Sequence, residues 1–548
     1  MNPYAIGIIV SVFVYVLIGN YAGRRIKGIE DYYVAGRNAP TFLIVGTLVA
    51  SYLSTAAFIG ETGFTYEGHG GILLILITVN AIGYVAGVFL FGRYLRRSRA
   101  ITVAEFFGRR FASRRVQAAA GVTVIVGLAA YLLAVTQGAS LAISEAMDIP
   151  YGLTLLIVWL SYTWFTAYSG SKGVVLTDTV MFILFTFVAF LALFYIVDAA
   201  GGWTEAIVAL VHFETKPGIF SWHGVSGPNG RWETPGDALS WGLVIGAAWA
   251  ITVAVSPWQS SRYLMAKNEH TAIRAACSAT GIVLVFYCAL ITAAASINLL
   301  NVSIEPAERA LIWASLNVLP TFAGAVLLAG IVAAALSSAS TFLSLIAFSV
   351  VNDLADLSDM SEPRRLSISR YAMLVVGAVI LVLAYFQPPA IMMIAYFAAT
   401  LFASSWGPVA FMSIWSSRIT AGGAFWGIVV GFVANFTAKL LNLYGVIDLP
   451  VLLDPVVIGL TCSIIAIIGV SRGGTVSTQE RRYRTSIHET PPAEIGGELT
   501  RGTLRYAAFL MIGGVIMIAV IARFYVLPFR AAMEHSATPV ETEYRYVR

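Results

Sequence analysis

Fourteen stretches of roughly twenty apolar residues, separated by short polar loops, run through this chain of 548 residues. A helix needs about 20 residues to cross a hydrocarbon core ~30 Å thick, and only helices and closed barrels satisfy their own backbone there. The blocks show neither the alternation of barrel strands nor the narrow apolar stripe of a soluble helix. The expected fold is therefore all-α and polytopic, with spans near residues 4 to 22, 40 to 60, 72 to 92, 117 to 140, 150 to 168, 174 to 199, 238 to 258, 277 to 300, 321 to 350, 371 to 387, 390 to 416, 424 to 444, 452 to 471 and 504 to 526. Charged residues make up 11% of the chain, less than half the roughly 25% of soluble domains.

The net charge of +5 does not point to nucleic acid, because the basic residues sit in short loops between spans. Loops after the odd-numbered spans hold 26 of the 34 Lys and Arg residues. That bias places those loops in the cytoplasm, the chain in the inner membrane and both termini outside. The block from Pro3 to Ala22 has no positive leader and no small-residue cleavage site before Arg24, so a retained first span is expected. The outer loop from about Gly201 to Asp237, rich in Gly, Pro and Trp, is expected to fold over the outer vestibule. The segment from Arg472 to Arg505, with Glu489-Thr490-Pro491-Pro492, reads as a polar linker before an appended last span.

Several classes of chemistry find no support. Cys277, Cys288 and Cys462 lie inside spans without metal-ligand spacing, and the six histidines are scattered in loops. There is no phosphate-binding glycine loop and no soluble stretch long enough for an ATPase or kinase domain. An enzyme is not expected, since Asp178 has no His or Cys beside it to complete a catalytic pair. The remaining options are transport powered by an ion gradient, or passive conduction.

The ninth span carries Ala333-Ala334-Ala335-Leu336-Ser337-Ser338-Ala339-Ser340-Thr341, four hydroxyls within five residues. A packing seam needs small residues on one face only, whereas these hydroxyls sweep about 400° of helix. Hydroxyl and carbonyl oxygens are the ligands that replace the water shell of a small hard cation. The second span is interrupted by Gly46, Ser51, Ser54, Thr55 and Gly60, and a break there frees carbonyls towards a cavity. The seventh ends in Ser256-Pro257-Trp258, where proline removes a donor and strains the preceding turn. Two interrupted spans, five apart, point to an inverted repeat with its site at the repeat interface. Asp178 is the one acid well inside a span on the inner half. It either lines a polar site or occupies the first turn of a helix beginning near 174.

These residues resemble the sodium:solute symporter family. The resemblance runs from about residue 20 to 470 and rests on four motifs in order: Asp31-Tyr32-Tyr33-Val34-Ala35-Gly36-Arg37; Tyr168-Ser169-Gly170-Ser171-Lys172-Gly173-Val174-Val175-Leu176-Thr177-Asp178; the Ala-Ala-x-x-Ser-Ser run at 333 to 338; and Ser405-Trp406-Gly407-Pro408 followed by Ser413-Ile414-Trp415. It implies a five-plus-five inverted repeat like that of the bacterial leucine transporter, with spans 2 and 7 broken. Residues 1–39 then hold the first helix and an inner loop, 40–199 the first repeat, 200–237 the outer loop and 238–416 the second repeat. Residues 417–548 form peripheral helices with the linker at 472–503.

The resemblance implies Na+ as coupling ion, held by backbone carbonyls of Ala50, Leu53 and Ala334 and by hydroxyls of Ser337 and Ser338. Asp178, Ser340 and Thr341 match a second Na+ site found in some members. The implied solute lining is Ser54, Thr55, Ala57, Asn80, Tyr84, Trp249, Thr252, Val253 and Thr400, each of which also reads as a packing residue. Arg37 matches an arginine near the inner gate, or serves as a topology charge.

Departures from the family pattern limit the solute. Met181 replaces the glutamine of Thr-Asp-x-x-Gln, Tyr52 stands where the proline branch has aspartate, and Ala56 and Ala57 replace a polar pair of the sugar branch. No Arg or Lys is expected at mid-membrane, so a monocarboxylate or amino acid would be held by Na+ and by half-helix N-termini. A sugar would need more hydrogen-bonding side chains than are found. The alternatives are an H+-coupled symporter of the same fold with Asp178 titrating, a Na+/sugar symporter and a Na+ channel. No organic cofactor and no obligate protein partner are expected; the partners are the solute, Na+ and the bilayer.

Overall fold

The computed structural model describes residues 2–537 apart from 229, 356, 358, 359 and 387–390. Among the described residues every named element is helical, and the extended pairing recorded is a bridge between Ala39 and Ala266. Twelve helices are long and apolar enough to cross a membrane. Two of these are too long for one crossing. Tyr151–Ala199 has 49 residues, about 73 Å at ~1.5 Å per residue, and Gly170 interrupts it with φ 53° and ψ −153°. A Cβ there would sit 2.6 Å from Tyr32, so both the backbone conformation and the space require glycine.

The 43-residue helix Ala56–Ser98 turns in the same way at Gly68, φ 111°. Its first part, 56–69, follows the short helix Thr41–Tyr52. The fourteen expected blocks therefore map onto the twelve helices together with Thr41–Tyr52. The expected span ends at 387 and 390, and residues 538–548, lie outside the described residues.

The seventh span does not stop at 258 as expected. Pro235–Val255 breaks at Ser256, ψ 149°, and a second helix, Pro257–Met265, continues it. The residue before a proline is pushed to extended geometry, while proline itself suits the first helical position. Arg262 was counted in a cytoplasmic loop and instead lies in this buried half-helix, with its side chain 2% exposed. Arg274 likewise falls within the helix Glu269–Ser296.

The ninth span, Thr321–Phe348, runs through the middle of the bundle and is buried at every position from Leu327 to Phe348. It packs against the first, fourth and sixth spans and against Thr41–Tyr52. The last span is the opposite case: Gly497–Ile521 buries no residue and touches the eighth through Ser278 Oγ and Tyr506 Oη at 2.6 Å. Such an all-round apolar surface is stable only in lipid.

Both ends of the bundle are covered. The outer loop reaches the end of the second span, where the Val225 N–H donates to Gly68 O at 3.0 Å and Trp232 meets Phe64 and His69 edge-on. On the inner face the linker forms a helix, Thr478–His488, closed by a capping box of Ser477 and Glu480. Arg110 donates to Ser413 O at 2.7 Å, and to Glu480 O and Ser416 O at 3.4 Å. Arg97 pairs with Glu269 at 2.6 Å and donates to His488 O at 3.0 Å. The linker is thus docked to the bundle rather than being only a polar tether.

Candidate functional site

The break in the second span begins where Leu53 takes ψ 85°. In a continuous helix the Ser54 N–H would reach Ala50 O, and the Ala57 N–H would reach Leu53 O. Here the Ser54 N–H donates to Tyr52 O at 3.0 Å, and the Ala57 N–H donates to Ser54 O at 3.0 Å. The carbonyls of Ala50 and Leu53 thereby lose their helical donors at fully buried positions. Carbonyls released from a helix at such a break can be turned towards a cation.

Thr41–Tyr52 packs against the serine-rich ninth span, where Ala334, Ser337 and Ser338 are all buried. Ser338 Oγ is buried with no hydrogen-bond partner. Ser337 Oγ donates to Asp178 Oδ1 at 2.7 Å, and Thr47 Oγ1 donates to Asp178 Oδ2 at 2.5 Å. One carboxylate therefore ties the ninth, sixth and second spans together. The helix resumes directly after Gly170, so Asp178 lies two turns in and is fully buried. It is not in a first turn, because the helix begins earlier than 174.

Asp178 has a basic partner, although no Arg or Lys was expected within the spans to meet a substrate anion. Arg262 Nη2 lies 3.4 Å from Asp178 Oδ2 and also donates to Thr341 Oγ1. Ser340 Oγ donates to Ser337 O at 2.9 Å. Two of the three residues matched to a second ion site, Asp178 and Thr341, are engaged by a guanidinium. The signal for Arg262 was Ser256-Pro257: proline at a first helical position announces a restart, so the span could have been extended to Met265.

The residues matched to the solute lining are all buried, but their polar atoms divide into two groups. Thr252 Oγ1 donates to Ala399 O at 2.8 Å, Thr400 Oγ1 donates to Phe397 O at 2.8 Å, and Ser54 Oγ accepts from the Ala56 N–H at 3.1 Å. Tyr84 Oη donates to Leu48 O at 3.5 Å, and Ala57 and Val253 contribute apolar surface. Thr55 Oγ1, Asn80 Oδ1 and Trp249 Nε1 have no partner among the described residues, while Asn80 Nδ2 donates to Tyr52 Oη.

Sequence reasoning missed Glu61, because the expected span stopped at 60. Its carboxylate is buried and accepts from Tyr287 Oη at 2.5 Å and from Tyr396 Oη at 2.8 Å. Arg37 joins the loops at one end of the bundle. Its Nε pairs with Glu30 at 2.5 Å, and its Nη2 donates to Arg99 O at 2.9 Å and Ala100 O at 3.0 Å. Beside it the Ala39 N–H donates to Met265 O at 3.1 Å, and Arg96 Nε donates to Ala266 O at 2.6 Å. The ends of the second, third and seventh spans on this side are locked together.

Residues 32–431 match the sodium:solute symporter family. The chain belongs to that family. As a member it is a multi-pass, Na+-coupled solute symporter. The sodium/pantothenate symporter of Escherichia coli (strain K12) is 25% identical over 458 residues, covering 82% of this chain and 91% of that protein. The sodium/proline symporter of Salmonella typhimurium is 22% identical over 518 residues, covering 91% and 99%. Among solved structures, a substrate-bound, outward-open Na+-coupled sialic acid symporter superposes with a TM-score of 0.73 at 20% identity, covering 87% of this chain and 99% of that one. The nucleobase-cation-symport transporter Mhp1, closed around bromovinylhydantoin, gives 0.54 at 14% identity, covering 83% and 98%. Both matches show the fold: this symporter is leucine-transporter-like, with its second and seventh spans broken.

Proposed function

We propose that this symporter carries Na+ inward together with a small amino acid or monocarboxylate across the inner membrane by alternating access, with both termini outside. Its first repeat is 40–199 and its second 238–416. The observation that carries the reading is a set of buried oxygens: the carbonyls of Ala50 and Leu53, released from their helical donors by the break, and the Ser338 hydroxyl, which has no hydrogen-bond partner among the described residues. With Ala334 O and Ser337 they supply the ligands a small hard cation needs. The bound Na+ places a positive charge beside Thr55, Asn80 and Trp249, where a solute carboxylate can be received. Arg37 acts at the inner gate by holding the second span to the loop after the third.

The ion count follows from Arg262. A tethered guanidinium on Asp178 and Thr341 supplies the charge a second Na+ would bring, so one Na+ moves per solute. An H+-coupled reading needs Asp178 as the group that takes up and releases the proton, and that carboxylate is already engaged by Arg262, Thr47 and Ser337. The test is a thermal-shift screen of the purified protein against amino acids, short carboxylates and sugars, in Na+ and in choline at fixed pH. A ligand that binds the folded form raises the midpoint. Stabilisation by a carboxylate solute only in Na+ supports the reading. Equal stabilisation in choline removes Na+ coupling, and stabilisation confined to sugars removes the solute class.

A further inference from the structure

The outer half of the second span carries a charge that the ion site does not use. Glu61 is 5% exposed, and no ion pair to it occurs among the described residues. Its two oxygens accept from the hydroxyls of Tyr287 and Tyr396. Hydroxyl donors alone compensate only part of what a buried carboxylate loses on leaving water; a cation compensates the rest.

The carboxylate sits beside a cluster of aromatic rings. Tyr52 meets Tyr84, Trp249 and Tyr287 edge-to-face, with centroids at 6.0, 6.1 and 6.2 Å. Trp249 in turn meets Tyr396 at 5.3 Å and 66°. Rings set at steep angles present faces in several directions, and a ring face attracts an ammonium group. The five rings come from the second, third, seventh, eighth and eleventh spans, and both hydroxyls on Glu61 belong to this set. A helical side chain leans towards the preceding turn, so Glu61, six residues after Thr55, leans back towards the break. Asn80 Oδ1, unpartnered beside Tyr52, adds an acceptor for an N–H.

We infer that the solute carries an ammonium group, and that Glu61 and the surrounding rings select it. The inference rests on the Na+-symport reading: the solute is a zwitterion, its carboxylate at the Na+ end of the pocket and its ammonium at the Glu61 end. A plain monocarboxylate leaves Glu61 without a counter-charge and is disfavoured.

The experiment uses matched pairs in which carbon replaces charged nitrogen. Purified full-length protein in Na+ is titrated with β-alanine against butyrate and with trimethylammonioacetate against 3,3-dimethylbutyrate, following thermal stabilisation. An ammonium member binding at least about tenfold more tightly than its uncharged isostere is the expected result, a gap of ~1.4 kcal/mol. Glu61→Gln closes that gap, while Tyr287→Phe and Tyr396→Phe, which keep the carboxylate, narrow it. Equal binding of the isosteres overturns the inference and leaves Na+ symport standing, provided binding still requires Na+. Failure of both ammonium compounds to bind also overturns it. So does a Glu61→Gln protein that retains the full gap, or a gap that follows pH instead of ligand charge, which would give Glu61 to a proton. Discrimination that persists unchanged in choline would instead overturn Na+ coupling.

Discussion

The Arg262 guanidinium lies 3.4 Å from Asp178 Oδ2, with the two side chains only 2% and 0% exposed. Asp178 also accepts from Thr47 and Ser337, and Arg262 donates to Thr341. Second, sixth, seventh and ninth spans thus meet in one hydrogen-bonded cluster. The seventh span contributes the half-helix that follows the Ser256 break, so the ion pair joins the sixth span to the broken seventh.

Breaking that pair leaves an uncompensated buried charge, which costs about 3–5 kcal/mol, whereas removing both charges together costs far less. Asp178→Asn and Arg262→Met are each expected to lower the thermal midpoint by several degrees, and the double variant is expected to recover much of the loss. Midpoints of the four purified proteins in detergent check this. Strictly additive losses would mean that the two charges do not stabilise one another.

On the proposed reading the same guanidinium limits the ion count to one. With Arg262 on Asp178 and Thr341, Na+ dependence of solute uptake is expected to give a Hill slope of about one, since the slope is bounded by the number of coupled sites. Ser340→Ala is expected to leave the slope unchanged, because that hydroxyl donates to Ser337 O within its own helix. A slope near two in vesicles would show that Arg262 yields its place to a second ion.

The spans, the break at Leu53 and the hydroxyl cluster at 337–341 were legible because each breaks a one-dimensional rule: apolar length, glycine and serine inside a span, hydroxyls all around a helix. Arg262 and Glu61 were not legible, and for one reason. Both follow an interruption or an expected span end, at Ser256-Pro257 and at Gly60, where a hydropathy reading stops although the helix continues. A charged residue just past such a stop looks like a loop charge. Only the packing of the eighth and eleventh spans, which bring Tyr287 and Tyr396 onto Glu61, reveals it as a membrane-embedded group.

Ser338 carries a different consequence from its neighbours. Its hydroxyl oxygen is partnerless, while those of Ser337, Ser340 and Thr341 all have protein partners. Ser338→Ala therefore leaves no protein group unsatisfied and should barely change the midpoint without Na+. Losing one oxygen ligand to a charged group costs about 1.5–3 kcal/mol, so the Na+ concentration for half-maximal stabilisation is expected to rise roughly tenfold or more. A titration of the midpoint with NaCl at constant ionic strength measures both quantities. An unchanged Na+ requirement would take Ser338 out of the ion site.

The docked linker gives the last expectation. Arg110 is buried, and burial lowers its pKa to about 10, which leaves it charged at neutral pH. It spends that charge on three backbone carbonyls, Ser413 O and Ser416 O at the end of the eleventh span and Glu480 O in the linker helix. An arginine holding carbonyls from two segments joins them, and neutralising it leaves those carbonyls without donors. Arg110→Gln should therefore loosen the helix Thr478–His488 from the bundle while the spans stay folded. Arg481 and Arg482 lie in that helix, so trypsin is expected to cut there several times faster in the variant than in the parent protein, with little change in the midpoint of the whole protein. Equal cleavage rates would mean that the remaining contacts, Arg97 to His488 O and Arg484 to Ile414 O, hold the linker without Arg110.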